Sequence, residues 1–184
     1  TLGILADPIP KNAAAMLLVE GKGDVIFVNH TAERLKDGGH IPETFEDKRI
    51  AIVPIGGCGN IKHWRTLQLA SQFKIPYCVL LDSDLGTAEH QQNINKQTEL
   101  HQDGIKAYLT RKREPENYVH LDCLELPVGS VFSFNDTDDA KDKIAKEKRT
   151  RKANVLENYW ILMTTEQIRD AEKYNEDGQE KYEF

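Results

Sequence analysis

Residues 76–84 read PYCVLLDSD, an apolar run that leads directly into two aspartates, Asp82 and Asp84. A short apolar run bounded by Pro76 and Gly86 is typical of a buried strand in a parallel sheet. Ligands of open α/β sheets bind beyond the carboxyl ends of the strands. If the backbone stays extended, residues two apart point to the same side, and both carboxylates face one divalent cation, which prefers oxygen ligands. Capping of the next helix is an equal alternative on this stretch alone.

Strands and helices alternate on both sides of this stretch. The predicted strands are 13–19, 49–55, 76–81 and 105–109. The predicted helices are 24–35, 61–73 and 87–102. This alternation predicts an α/β fold with a parallel sheet flanked by helices. Residues 136–152 and 159–174 predict a helical C-terminal appendage, with Thr164 or Thr165 capping the last helix.

Composition and charge limit the function classes. A chain of 184 residues suits one domain or a domain with a small appendage. The formal net charge of −6 argues against simple electrostatic binding to nucleic acid. The distribution is uneven, because seven of the twelve residues from Lys141 to Lys152 are Lys or Arg, and 111–113 is a second basic run.

The sequence also predicts a setting without membranes. No apolar run approaches the roughly 20 residues of a membrane helix, and residues 1–10 lack the pattern of a signal peptide. The cysteines Cys58, Cys78 and Cys123 lie far apart and form no metal-type pair. Reduced thiols and a cytoplasmic location are expected.

Carboxylates follow three of the predicted strands. They are Glu20 and Asp24, Asp82 and Asp84, and Glu114 and Glu116. In a parallel sheet these strand ends share one edge, where neighbouring carboxylates repel unless a cation neutralises them. A site for one or two Mg²⁺ or Mn²⁺ ions is predicted. The alternative, capping or solvation, is strong for Asp24 and Glu114. It is weak for Glu20, because a glutamate that directly ends a strand is poorly placed as a cap.

Residues 19–24, VEGKGD, and 81–84, LDSD, together resemble the Toprim domain. That domain occurs in type IA and type II topoisomerases, DnaG-type primases and several nucleases. It has a glutamate after the first strand and an aspartate-x-aspartate after the third, and here the glycine turn at Gly56-Gly57 lies between them. The likeness covers roughly 13–109 and implies a Toprim-type parallel sheet.

Residues 113–118, REPENY, are similar to a segment of the overcoming-lysogenization-defect (OLD) family of nucleases, with Pro115 replacing an aliphatic residue. In that family the Toprim domain follows an ABC-type ATPase in the same polypeptide. This chain has no GxxxxGK[ST] loop. The resemblance therefore implies that this chain is a C-terminal nuclease region without its ATPase region. Any homo-oligomer would then form through the absent ATPase region. We divide the chain into a Toprim catalytic domain, 1–120, and a mainly helical region that contributes basic residues, 121–184.

The resemblance also implies roles for individual residues. The implied metal ligands are Glu20, Asp24, Asp82, Asp84 and Glu116. The implied catalytic residues are Glu20, Asp82, Asp84 and a C-terminal lysine, for which Lys152 is the candidate and Lys148 the alternative.

The expected function is metal-dependent DNA endonuclease activity, which nicks or cleaves phosphodiester bonds with two Mg²⁺ or Mn²⁺ ions. Other Toprim chemistry, of the topoisomerase or primase kind, is one alternative, and strand passage would need a tyrosine nucleophile. A metal-binding regulatory domain without catalysis is the other alternative.

Overall fold

A computed structural model describes residues 12–56 and 75–184. Within these ranges the first sheet has four parallel strands in the order β2-β1-β3-β4. The strands are β1, Ala15–Val19; β2, Ile50–Pro54; β3, Tyr77–Leu81; and β4, Lys106–Leu109. The predicted α/β fold is confirmed. The predicted helix 61–73 and the glycine turn from Gly57 onward lie outside the described residues.

The central strand β1 divides the core into two layers. Its side chains alternate, so Leu17 and Val19 pack into one apolar cluster, while Met16 and Leu18 pack into the other. This is the period of two expected of a strand buried on both faces. Leu18 pairs with Val79 in the parallel ladder, which brings the carboxyl ends of β1 and β3 to the same edge of the sheet.

In the described ranges, two long helices cover the sheet. Helix α1 spans Lys22–Asp37 and buries Phe27 and Leu35. Helix α2 spans His90–Gln102, and its buried Leu100 joins the cluster on the other face. None of the helices in the described ranges combines the length and apolarity needed to cross a membrane.

The C-terminal region contains further short helices. They are α3, Ala140–Glu147; α4, Val155–Tyr159; and α5, Thr165–Glu172. Four 3-10 helices cover Pro115–Tyr118, Leu121–Leu124, Lys152–Asn154 and Trp160–Leu162. The Thr164 side chain accepts a hydrogen bond from the Gln167 backbone N–H, as expected of the cap of α5.

An antiparallel hairpin follows α5, and the sequence analysis did not predict it. Its strands are β5, Lys173–Glu176, and β6, Gln179–Tyr182. The turn residues Asp177 and Gly178 have φ values of 54° and 76°. An Asp-Gly pair favours this two-residue turn, because both positions require positive φ. The Asp-Gly pair is a local signal for the hairpin, and the predicted helical segment 159–174 runs two residues past the end of α5 at Glu172.

Aromatic residues attach the C-terminal region to α1. The ring of Phe27 lies 4.7 Å from that of Trp160 and 5.3 Å from that of Phe184, centroid to centroid. Trp160 Nε1 also donates a hydrogen bond to the Phe27 carbonyl at 3.1 Å. One apolar cluster therefore joins residues from both ends of the described chain.

Candidate metal centre

Glu20 and Asp82 meet at the edge where β1 and β3 end. The Asp82 backbone N–H donates a hydrogen bond to Glu20 Oε1 at 3.2 Å. The parallel pairing of the two strands places these residues side by side. Burial raises the pKa of Asp82 well above its usual value, and the negative charges of Asp24, Glu20 and Glu116 raise it further. Four carboxylates therefore interact at this edge.

Asp24 caps a helix and also belongs to the carboxylate cluster. Its Oδ2 accepts the Gly21 backbone N–H at 2.7 Å, so it caps the start of α1. Its pKa is nevertheless raised, chiefly by burial. Capping thus does not remove Asp24 from the cluster, because its charge still acts on Asp82.

Asp84 lies in a turn and not on an extended strand. The strand β3 ends at Leu81, and Asp84 has a φ of 49°. The expectation that Asp82 and Asp84 share one face through strand alternation is therefore wrong. Ser83, which is 2% exposed, points toward the end of β4, where its Oγ donates to the Lys112 carbonyl at 2.7 Å. It serves as a small residue that ties this turn to the neighbouring strand end.

Glu116 approaches the cluster from the 3-10 helix that follows β4. Pro115 begins this helix, a position that suits its fixed φ and missing N–H. Glu116 is 3% exposed, and its Oε1 lies 3.1 Å from Lys141 Nζ. Within the described ranges, its buried Oε2 has no hydrogen-bond partner. Burial raises the pKa of Glu116 to about 7, although Lys141 acts to lower it.

Lys141, in the first turn of α3, is the residue that the sequence analysis missed. Its Nζ lies 3.7 Å from Glu114 Oε2, and its backbone N–H donates to Glu114 Oε1 at 3.0 Å. Burial lowers the pKa of Lys141, but the charges of Glu116 and Glu114 outweigh it and raise the pKa overall. Lys141 is therefore a cation at neutral pH. The available signal was Asp139, which caps α3 and so determines which lysine of the basic run lies in its first turn.

Lys152 and Lys148 make different contacts. Lys152 Nζ lies 2.8 Å from Asp142 and 3.7 Å from Asp139, and its side chain is 52% exposed. Lys148 Nζ donates to the Leu124 carbonyl at 2.5 Å. Lys152 thus pairs with carboxylates at the start of α3, whereas Lys141 pairs directly with Glu116.

The chemistry of the donor set fits a hard divalent cation. Carboxylate oxygens are the ligands that Mg²⁺ and Mn²⁺ prefer, and a cation would relieve both the mutual repulsion and the unpartnered Oε2 of Glu116. In the part of the chain that the structure describes, no three His, Cys, Asp or Glu side chains already form a coordination shell. The carboxylates form a charged cluster whose members must move closer to share one ion.

Comparison with known proteins identifies this arrangement. The family model described as "Overcoming lysogenization defect protein-like, TOPRIM domain" matches residues 13–84. Residues 13–84 form an OLD-like TOPRIM domain. The TOPRIM match includes Glu20, Asp24, Asp82 and Asp84, whereas Glu116 lies beyond it.

Two solved structures resemble the chain that carries this TOPRIM domain. The C-terminal region of the Burkholderia pseudomallei OLD protein matches with a TM-score of 0.55 at 16% identity, over 86% of this chain and 94% of that one. The C-terminal region of the Xanthomonas campestris pv. campestris OLD protein matches with a TM-score of 0.48 at 19% identity, over 86% and 93%. The first likeness shows a shared fold that extends beyond the TOPRIM segment. No curated protein sequence matches the chain.

Proposed function

We propose that this chain is a metal-dependent DNA endonuclease, the nuclease region of a larger ATPase-nuclease. The observation that carries the proposal is the charge cluster at the strand ends, where the pKa of Asp82 is raised by burial and by three neighbouring carboxylates. Such clusters are typical of sites that hold cations for catalysis. The OLD-like TOPRIM match supports the same class of activity.

In this proposal the carboxylates hold two Mg²⁺ or Mn²⁺ ions. The proposed metal ligands are Glu20, Asp24, Asp82, Asp84 and Glu116. When bound, the ions polarise the scissile phosphate and lower the pKa of water at the site. The residues of the chain orient the ions, and a lysine stabilises the charge that grows on the phosphate oxygens. Lys141 and Lys152 are the two candidates for this lysine.

DNA binding is the second part of the proposal. Helix α3 begins at the cluster with Lys141 and continues with Lys143 and Lys146, and Arg149 follows it. Lys143, Lys146 and Arg149 line a surface cleft of about 630 Å³. Cations in this order could contact successive phosphates of a DNA backbone that leads away from the site. DNA binding would then weaken as the salt concentration rises.

Strand passage is a weaker alternative, because it requires a tyrosine nucleophile. The Tyr118 hydroxyl donates to Glu183 Oε2 at 2.6 Å and accepts from the Lys112 N–H at 3.0 Å. Burial and the charge of Glu183 raise the pKa of Tyr118, so its hydroxyl stays protonated.

A cytoplasmic location belongs to the main proposal and is supported by the free thiols of Cys78 and Cys123.

The deciding experiment is incubation of the chain with supercoiled plasmid in Mg²⁺, Mn²⁺, Ca²⁺ or EDTA. We expect relaxed or linear products that require Mg²⁺ or Mn²⁺, and we expect Asp82→Ala and Glu20→Ala to abolish them. Glu157→Ala, which removes an exposed carboxylate on α4, is the matched control. Normal cleavage by folded Asp82→Ala would overturn the proposal. A chain that binds Mn²⁺ but leaves plasmid intact, even when joined to its ATPase region, would favour the regulatory alternative.

A further inference from the structure

Asn93, in the first turn of α2, contacts the turn that carries both aspartates. It is 0% exposed. Its Nδ2 donates to the Asp82 carbonyl at 3.0 Å and to Asp84 Oδ2 at 2.8 Å. Its Oδ1 accepts from Lys96 Nζ at 2.8 Å. Because an ammonium group only donates, the Lys96 contact determines which end of the amide is the oxygen, and both N–H groups face acceptors of the turn.

The main-chain carbonyls of the same turn are also bonded from this side. Ser83 O lies 2.7 Å from His90 Nδ1, which carries the proton because a carbonyl only accepts. The Asp84 carbonyl accepts from the Thr87 backbone N–H at 3.0 Å and from its hydroxyl at 2.8 Å. With these carbonyls engaged, the carboxylates are the oxygens that the turn offers to a ligand.

We propose that Asn93 is a positioning residue that fixes the Asp84 carboxylate for a divalent cation. By holding Oδ2 it sets the rotation of the carboxylate and leaves Oδ1 for the ion. The proposal rests on the metal centre proposed above. A purely structural role, which attaches α2 to the end of β3, would need only the bond from Asn93 to the Asp82 carbonyl. The second N–H, directed at a charged oxygen, orients the side chain instead, as partners of metal ligands commonly do.

The backbone of Asp84 does not by itself orient its carboxylate. A φ of 49° at a residue other than glycine is uncommon, although aspartate tolerates it better than most residues. The carboxylate can rotate about its side-chain torsions, and the bond from Asn93 to Oδ2 restricts that rotation. Loss of the hydrogen-bond partner of a metal ligand typically weakens metal binding about 10-fold to 100-fold.

The test is a double-mutant cycle on Mn²⁺ affinity, measured by electron paramagnetic resonance of free Mn²⁺ in the absence of DNA. We expect Asn93→Leu, which matches asparagine in size but has no N–H donors, to weaken Mn²⁺ binding at least about 10-fold. In the Asp84→Ala background the same change should have little further effect, because Asn93 acts through Asp84. Asn95→Leu, the same substitution at an exposed position of α2, is the matched control.

The outcomes separate the two proposals. Unchanged affinity in Asn93→Leu, or an equal loss in both backgrounds, overturns the role of Asn93. Unchanged affinity in Asp84→Ala overturns Asp84 as a ligand and with it this part of the proposed metal centre. Thermal unfolding in EDTA shows whether each variant folds. If Asn93→Leu does not fold, Asn93→Ala removes the same donors and leaves room for water, and the same cycle decides the question.

Discussion

The ion pair between Glu116 and Lys141 is the main residue-scale feature of the site. Glu116 is almost fully buried, whereas the Lys141 side chain is 34% exposed. Removing one partner of such a pair leaves the other charge uncompensated, which is costly in a buried setting. Lys141 therefore favours the charged form of Glu116, against the effect of burial.

The first prediction compares the two candidate lysines. We expect Lys141→Met to lower the cleavage rate about 100-fold, the usual effect of losing one group that stabilises charge in the transition state. Lys152→Met should have a smaller effect, because Lys152 is half exposed and paired with Asp142 and Asp139. Single-turnover plasmid cleavage measures both rates. A larger loss in Lys152→Met would assign the catalytic role to Lys152.

The second prediction concerns stabilisation by the cation. Saturating Mn²⁺, at about 100 times its Kd, adds about 2.7 kcal/mol to the free energy of unfolding, which raises Tm by about 5–10 °C for a chain of this size. We expect a smaller rise in Glu116→Gln, which removes the charge of a proposed ligand, and a full rise in the control Glu157→Gln. Differential scanning fluorimetry with and without EDTA measures the shifts. Equal shifts in all three proteins would remove Glu116 from the site.

At the scale of elements, a contact between α1 and the segment around Trp160 and Met163 attaches the C-terminal region to the sheet domain. His30 Nε2 donates to the Met163 carbonyl at 3.1 Å, and its ring lies 6.5 Å from that of Trp160, centroid to centroid. Burial lowers the pKa of His30, although the Met163 contact acts to raise it. Helix α1 thus carries Asp24 at its start and binds the C-terminal region along its length.

The third prediction is a pH dependence of stability. Because the pKa of His30 is lower in the folded protein than the unfolded value of about 6.5, the unfolded chain binds more protons just below pH 6.5. The His30 contribution is therefore present above pH 6.5 and declines as pH falls below it. Urea unfolding at pH 7.5 and 5.5 should show a larger loss for the parent than for His30→Gln. The exposed control His40→Gln should behave as the parent. Equal losses in parent and His30→Gln would contradict the assignment.

At the scale of the whole molecule, the last residues return to the segment that carries Glu116. Glu183 Oε1 accepts the Arg111 backbone N–H at 2.8 Å, and its Oε2 accepts the Tyr118 hydroxyl at 2.6 Å. The Phe184 ring lies 5.7 Å from that of Tyr118, centroid to centroid. Glu183 and Phe184, which directly follow the hairpin, therefore hold Arg111 and Tyr118 in the segment that contains Glu116.

The fourth prediction tests the contribution of Phe184. Phe184→Ala should lower the free energy of unfolding by about 2–3 kcal/mol, somewhat below the usual cost for a fully buried phenylalanine because this ring is half-buried. Denaturant unfolding measures the change. Val128→Ala, at a fully exposed position, should leave stability within about 0.5 kcal/mol of the parent. A loss equally small in Phe184→Ala would show that the tail adds little to the core.

Local patterns in the sequence predicted the elements and much of the candidate site. The apolar runs around Leu18 and Val79 predicted the strands. A continuous apolar run indicates a strand buried on both faces, whichever segments pack against it. Thr164 or Thr165 predicted the start of α5, because a cap depends only on the next three residues, and the structure has Thr164. The strand-end pattern and the Toprim resemblance both indicated Glu20 and Asp82, whose meeting follows from the parallel pairing of β1 and β3.

Contacts between distant segments were decided only by the tertiary structure. Lys141 is one of seven cations in twelve residues. The Asp139 cap places it in the first turn of α3, but its pairing with Glu116 exists only once α3 packs against that residue. In the sequence, Asn93 does not differ from the other polar residues of α2. Only the packing of α2 beside Asp84 distinguishes it. The α/β fold and the carboxylates that end the strands can be predicted from the sequence, because both follow from neighbours along the chain. The structure decided the charge partner and the orientation of those carboxylates, because both depend on burial and on contacts between residues far apart in sequence.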